Sequence, residues 1–149
     1  METMETMEKV KTMKTINATK QEFVDIINGL FAVQDLQGKE FSLLVSKNIH
    51  ILQKNLKDIQ EAGKPSEEFL NLAQQVNEIA NLNEDNSKEQ IDALEKENKE
   101  LVESRKEQMD KVADLLKANI ELTLHILPEA VLPEEVTAKQ INSIITIIE

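Results

Sequence analysis

The sequence has 149 residues, 30% of them charged and 3% aromatic, with four Phe, no Trp and no Tyr, and a net charge of −11. Helix formers dominate and Gly and Pro number three each, a composition that favours long helices over a packed sheet in about one domain. The acidity is spread along the chain, with −2, −3, −2 and −4 over 1–38, 39–87, 88–120 and 121–149, so no basic segment is present to neutralise phosphates and direct nucleic-acid or anionic-lipid binding is not expected.

Cysteine is absent, which excludes disulfides, thiolate metal sites and cysteine nucleophiles. No apolar run approaches the ~20 residues of a membrane span. Residues 1–14, METMETMEKVKTMK, lack the apolar region of a signal peptide and read as a disordered leader, with possible alternative starts at Met4, Met7 and Met13.

Lys14 to Asn17 reads as a very short strand. Thr19 with Glu22 forms a capping box for a helix carrying Phe23, Ile26, Ile27, Leu30 and Phe31 on one face. Gly29 weakens that helix, which should end near Leu36 to Gly38. From Lys39 the spacing restarts through Phe41, Leu44, Val45, Asn48, Leu52, Leu56 and Ile59.

Gly63-Lys64-Pro65 offers two readings. Either Gly63 ends one helix and Ser66 starts another in a tight turn, or the helix bends at Pro65 and continues through Phe69, Leu70, Ala73, Val76, Ile79 and Ala80. The next break is NLNEDN at 81–86, followed by Ser87 and Gln90 as a second capping box.

Ser87 to about Asn119 then reads as one amphipathic helix of roughly 33 residues, on the order of 50 Å long. Its stripe is Ile91, Leu94, Leu101, Met109, Val112 and Leu116. A reversal at 81–87 sets Ile91 opposite Val76, Leu94 opposite Ala73, Asn98 opposite Phe69, Met109 opposite Ile59, Val112 opposite Leu56 and Leu116 opposite Leu52. This match favours the bent arm, though a hairpin turning at 63–65 stays open. Asn98 and Arg105 occupy seam positions, with Arg105 facing Glu61 to Gly63 as a candidate partner of Glu61, and this polar belt is a candidate binding surface.

Beyond Asn119 the period becomes two: Leu122, Leu124 and Ile126 alternate with Glu121, Thr123 and His125 in a strand ending at Pro128, with the segment around Thr15 and Ile16 as its partner. Thr137 caps a last helix bearing Ile141, Ile144, Ile145 and Ile148, expected to pack on the first helix and the strand pair. The fold expected is mainly α. A long antiparallel, kinked helical hairpin or coiled coil (arms about 39–81 and 87–119) stands on a small base of two further helices and a short two-stranded sheet (15–38 plus 120–149).

Chemistry is sparse. His50 and His125 have no triad or metal-ligand spacing with another His or Asp. Glu95, Lys99, Glu103 and Glu107 follow the charge pattern of a solvated helix face. The Glu-x-x-His motif of carboxylate-bridged metal sites in bundles is absent, as are phosphate loops and nucleophile elbows. No catalytic, cofactor-binding or metal-binding residue is assigned, no cofactor is expected, and the chain reads as a non-enzyme.

The closing run ELTLHILPEAVLPEEVTAKQINSIITIIE, with LKDIQEAGKPSEEFLNLAQQVNEIA and KENKELVESRKEQM before it, resembles small helical proteins of tailed bacteriophages, including phages of gut Bacteroides, encoded near virion genes. The resemblance covers most of the chain beyond Lys14 and brings no site residue. It implies a structural or assembly-accessory protein of the virion, made in the host cytoplasm. Such a protein is packaged cargo or attached to capsid or tail, with other virion proteins as partners and a homo-oligomer possible. The competing reading is an intracellular host-directed protein-binding module. A mimic of nucleic acid is disfavoured because Lys interrupts the carboxylates of the long arm.

Overall fold

The computed structural model describes residues 12–149 and is mainly helical, with one two-stranded antiparallel sheet. In chain order it holds β1 (Met13–Thr19), α1 (Lys20–Val33), α2 (Lys39–Asn55), α3 (Lys57–Ala62), α4 (Glu67–Leu82), α5 (Ser87–Glu97), α6 (Lys99–Leu116), β2 (Asn119–His125) and α7 (Ala138–Ser143). Single 3-10 turns at Glu129–Val131 and Ile145–Ile147 flank α7. Of the leader expected over 1–14, residues 1–11 lie outside the described residues. Met13 and Lys14 belong to β1, because the strand extends to match all seven residues of β2.

The chain divides into two compact units, one made of the segments up to 58 and from 116 onward, the other of 59–115. In the first, β1 and β2 pair as expected, Thr15 opposite Thr123 and Ile16 opposite Leu122. The Thr15 and Thr123 hydroxyls share a hydrogen bond of 2.9 Å on the exposed face. Ile16, Ala18, Leu122 and Leu124 point the other way and are buried, the period of two expressed as one wet and one dry face.

Thr19 ends the strand and starts α1, its hydroxyl accepting the Glu22 N–H at 3.2 Å. α1 stops at Val33, a few residues before the expected Leu36 to Gly38. Gly38 instead sits at the N-cap of α2 with φ 139°, where a side chain is strained.

The core of this unit gathers Phe23, Leu30 and Val33 of α1, Phe41, Val45 and Leu52 of α2, Leu124, Leu127, Ile144 and Ile147, each almost fully buried. Such side chains contribute about 1.5–3 kcal/mol apiece. α1 and α7 approach so closely that a Cβ on Gly29 would lie 2.8 Å from Ile144 Cγ2 and from Ser143 O. Gly29 is therefore the contact point of the two helices rather than a simple weakness in one.

The last helix is shorter than its isoleucines imply. Thr137 and Gln140 form the full capping box, but α7 ends at Ser143 and a 3-10 turn follows. The physical reason lies in the backbone. Leu127 N–H bonds Ile147 O and Glu149 N–H bonds Leu127 O, so the final residues run extended beside Leu127 instead of continuing the helix.

In the 59–115 unit the predicted bend at Pro65 is a full break. α3 closes at Ala62, residues 63–66 leave the helix, and Ser66 recaps α4 by accepting the Phe69 N–H at 3.1 Å. Proline has no N–H for the carbonyl four residues back, and the serine cap makes a fresh start favourable. The chain reverses at 83–86 with Asn83 in the left-handed region (φ 48°), and α4 and α5 pack side by side.

Ser87 does not cap α5; its hydroxyl accepts the Glu84 N–H and donates to Ile79 O, while Asn86 holds the cap position. Nor is Ser87 to Asn119 a single helix. Asn98 lies outside helical geometry (φ −109°, ψ 31°) between α5 and α6, and α6 ends at Leu116. The Asn98 side-chain amide donates to Leu94 O at 2.9 Å, the local back-bonding that bends helices.

The expected stripe faces inward in part, through Phe69, Val76, Ile79, Ile91, Leu94, Leu101, Val112 and Leu116. Leu72 is buried whereas Leu70, Ala73 and Ala80 are exposed, and Gln108 is turned in whereas Met109 is exposed. The restart at Ser66 turns the inward face of α4 towards Leu72, whereas α6 keeps Leu101, Arg105, Val112 and Leu116 inward.

Candidate binding site

Breaking the chain at 63–66 leaves the carbonyls at the end of α3 without intrahelical donors. Two polar side chains of α6 supply them. Gln108 Nε2 donates to Ala62 O at 2.8 Å and to Lys64 O at 2.7 Å, and Arg105 Nη1 donates to Gly63 O at 2.8 Å. Arg105 Nη1 also reaches Gln108 Oε1 at 2.9 Å, which fixes the amide orientation. The guanidinium carbon stands 5.4 Å from the centre of the Phe69 ring, a cation–π contact.

Three successive carbonyls, one aromatic face and two side chains one helical turn apart form a rigid polar joint. It walls one side of an open cleft of about 470 Å3, lined also by Ser66, Leu101, Ser104, Glu107, Lys64 and Lys111.

The sequence placed Arg105 opposite 61–63, and there it lies, with the Gly63 carbonyl as its acceptor. Gln108 was missed. The available signal was its position three residues after Arg105, which puts both side chains on one face opposite a Gly-Lys-Pro break. Asn98 is half-buried and satisfied within its own helix rather than across the seam. Lys99 and Glu103 approach to 4.0 Å on the solvated face, a pair of small consequence.

The two histidines are not brought together. His50 is exposed on α2. His125 is half-buried at the end of β2, and burial first, then the nearby Lys47 ammonium, lowers its pKa below the usual 6.5.

The group that reaches His125 is Asn48, in the apolar stripe of α2. It is fully buried, donating Nδ2–H to His125 O at 2.9 Å and accepting His125 N–H on Oδ1 at 2.7 Å. Its amide thus serves the open edge of β2 as a further strand would. Among the described residues no group of three or more His, Asp or Glu is placed to hold a metal, and no helix is long and apolar enough to cross a membrane.

No protein-family model, curated protein or solved structure matches the chain.

Proposed function

We propose that this chain is a non-enzymatic structural or assembly-accessory component of a tailed-phage particle, acting through protein–protein contacts with other virion proteins. The observation that carries the reading is the thinness of the 59–115 unit. Leu72 and Val112 are its buried apolar side chains, while Leu70, Leu82 and Met109 are 51%, 66% and 44% exposed. Apolar groups left in water along a charged helical surface are suited to contact with a neighbouring chain. The resemblance of 56–80, 96–109 and 121–149 to tailed-phage proteins supports the choice of particle.

The reading extends to the arms. Within 59–115, α4 is proposed to pair with α5 and α6 as an interrupted antiparallel hairpin, the part of the arms expected over about 39–81 and 87–119 that lies in this unit. The reversal at 83–86 and the Arg105–Gly63 bond support it.

Mass spectrometry of gradient-purified particles tests the function. A reproducible copy number relative to the major capsid protein is expected. Absence from particles with abundance in infected cells would overturn it in favour of a host-directed binding module. Because the chain has no Cys, oxidising a Val76→Cys, Ile91→Cys double variant tests the pairing of α4 with α5; an intrachain crosslink is expected, and its failure to form sinks the hairpin.

A further inference from the structure

Arg105 is the chain's single arginine, among sixteen lysines, and the protein uses half of it. Nη1 is committed to Gly63 O and Gln108 Oε1, whereas among the described residues Nε and Nη2 meet no acceptor. Those two N–H groups lie along one edge of the planar guanidinium, the parallel pair that fits both oxygens of a carboxylate or phosphate. With Nη1 held by two acceptors and the guanidinium carbon over the Phe69 ring, this edge is oriented before any ligand arrives.

The surroundings point the same way. The 59–115 segment has fifteen acidic and seven cationic side chains, yet three of the seven (Lys64, Arg105 and Lys111) line this cleft, with Glu107 as the single carboxylate. Neither Lys64 nor Lys111 forms an ion pair among the described residues. The Ser104 hydroxyl lines the same wall.

The geometry points to a binding site for a small oxyanion-bearing ligand, a carboxylate or a phosphate monoester, in the Arg105 cleft. The Nε/Nη2 edge grips two of its oxygens. Lys64 and Lys111 neutralise its charge, and Phe69 and Leu101 give an apolar wall for the group that carries it. Local charge here is opposite to that of the chain as a whole, so an anion repelled elsewhere is drawn to this place. The inference stands independently of the virion reading.

Nitrogen-15 NMR of the full chain tests it directly, since one arginine gives one assignable Nε–H signal. Inorganic phosphate and glutarate are titrated separately at constant ionic strength in chloride. A saturable shift of the Arg105 Nε–H with at least one of them is expected. Saturation by phosphate alone assigns the ligand as a phosphate ester, and saturation by glutarate assigns it as a carboxylate.

Arg105→Lys keeps the charge and removes the edge. Binding read at the Phe69 and Ser104 amides should weaken about tenfold, while Lys88→Ala, outside the cleft, leaves it unchanged. If Arg105→Lys disturbs the fold by circular dichroism, the double variant Lys64→Met, Lys111→Met serves, with the same direction expected. A linear shift for both anions, or undiminished affinity in the charge or edge variants, would overturn the assignment.

Discussion

At the scale of single residues, Asn48 does more than its place in an apolar stripe implies. Both its polar atoms are matched to the main chain of one residue of β2, so an apolar residue of similar volume leaves the His125 N–H and C=O buried without partners. Asn48→Leu is expected to cost about 2–4 kcal/mol in urea denaturation, since each orphaned group loses about 1–3 kcal/mol. The neighbouring His125 ring gives a pH dependence with a definite sign. Its folded pKa lies below 6.5, from burial and then from Lys47, so on acidification the unfolded chain takes up the proton first. The stability contributed by the neutral ring is complete above about 6.5 and is lost as pH falls towards the folded midpoint. An NMR titration should find the His125 midpoint below 6.5, and Lys47→Gln should raise it partway back; no movement would assign the whole shift to burial.

Among the elements, the α1–α7 contact and the breaks at 63–66 and 98 decide how the helices are cut. Gly29→Ala should gain about 1 kcal/mol of helix propensity and lose more, because overpacking against Ile144 and Ser143 costs about 1–3 kcal/mol. A net fall in melting temperature is the expected outcome, and a rise would mean that α7 can withdraw without loss. These elements also show what was legible in the sequence. The strand pair could be read because alternation in 122–126 requires a partner, and only the segment near Ile16 offered one. The caps at Thr19 and Thr137 followed from side-chain chemistry at fixed spacing. The unbroken helix from Ser87 did not survive, because periodicity is blind to an asparagine that bonds its own turn at Leu94. The inward face was read correctly at most positions and missed at a few. The restart at Ser66 shifts the inner side of α4 from Leu70 to Leu72, whereas α6 keeps its expected Leu101, Arg105, Val112 and Leu116 inward and turns Gln108 in beside them. Gln108 carries no apolar signal at all; its place depends on carbonyls that exist as acceptors only because the chain breaks opposite them.

For the whole molecule, the two units differ in how much apolar surface each removes from water. The unit formed by the two terminal segments has Phe23, Leu30, Phe41, Leu52, Leu124 and Ile144 almost wholly buried, whereas 59–115 relies on Leu72, Val112 and half-buried neighbours. Backbone amides of α4 and α5 should therefore exchange hydrogen through local opening well before those of β2 and the middle of α1. Native-state exchange measured by mass spectrometry checks this; uniform protection across both units would mean that they open only together.

The Asn48–His125 tie joins residues 77 positions apart, and the whole of 59–115 lies between its two ends. Seen from that tie, the intervening segment is a closed excursion of the chain, and the entropy of closing such an excursion grows only with the logarithm of its length. Doubling it costs about 0.6 kcal/mol. For the entropy of closing the tie, the number of residues between positions 58 and 116 therefore matters little, and a change of length there is felt chiefly through the packing of 59–115 itself.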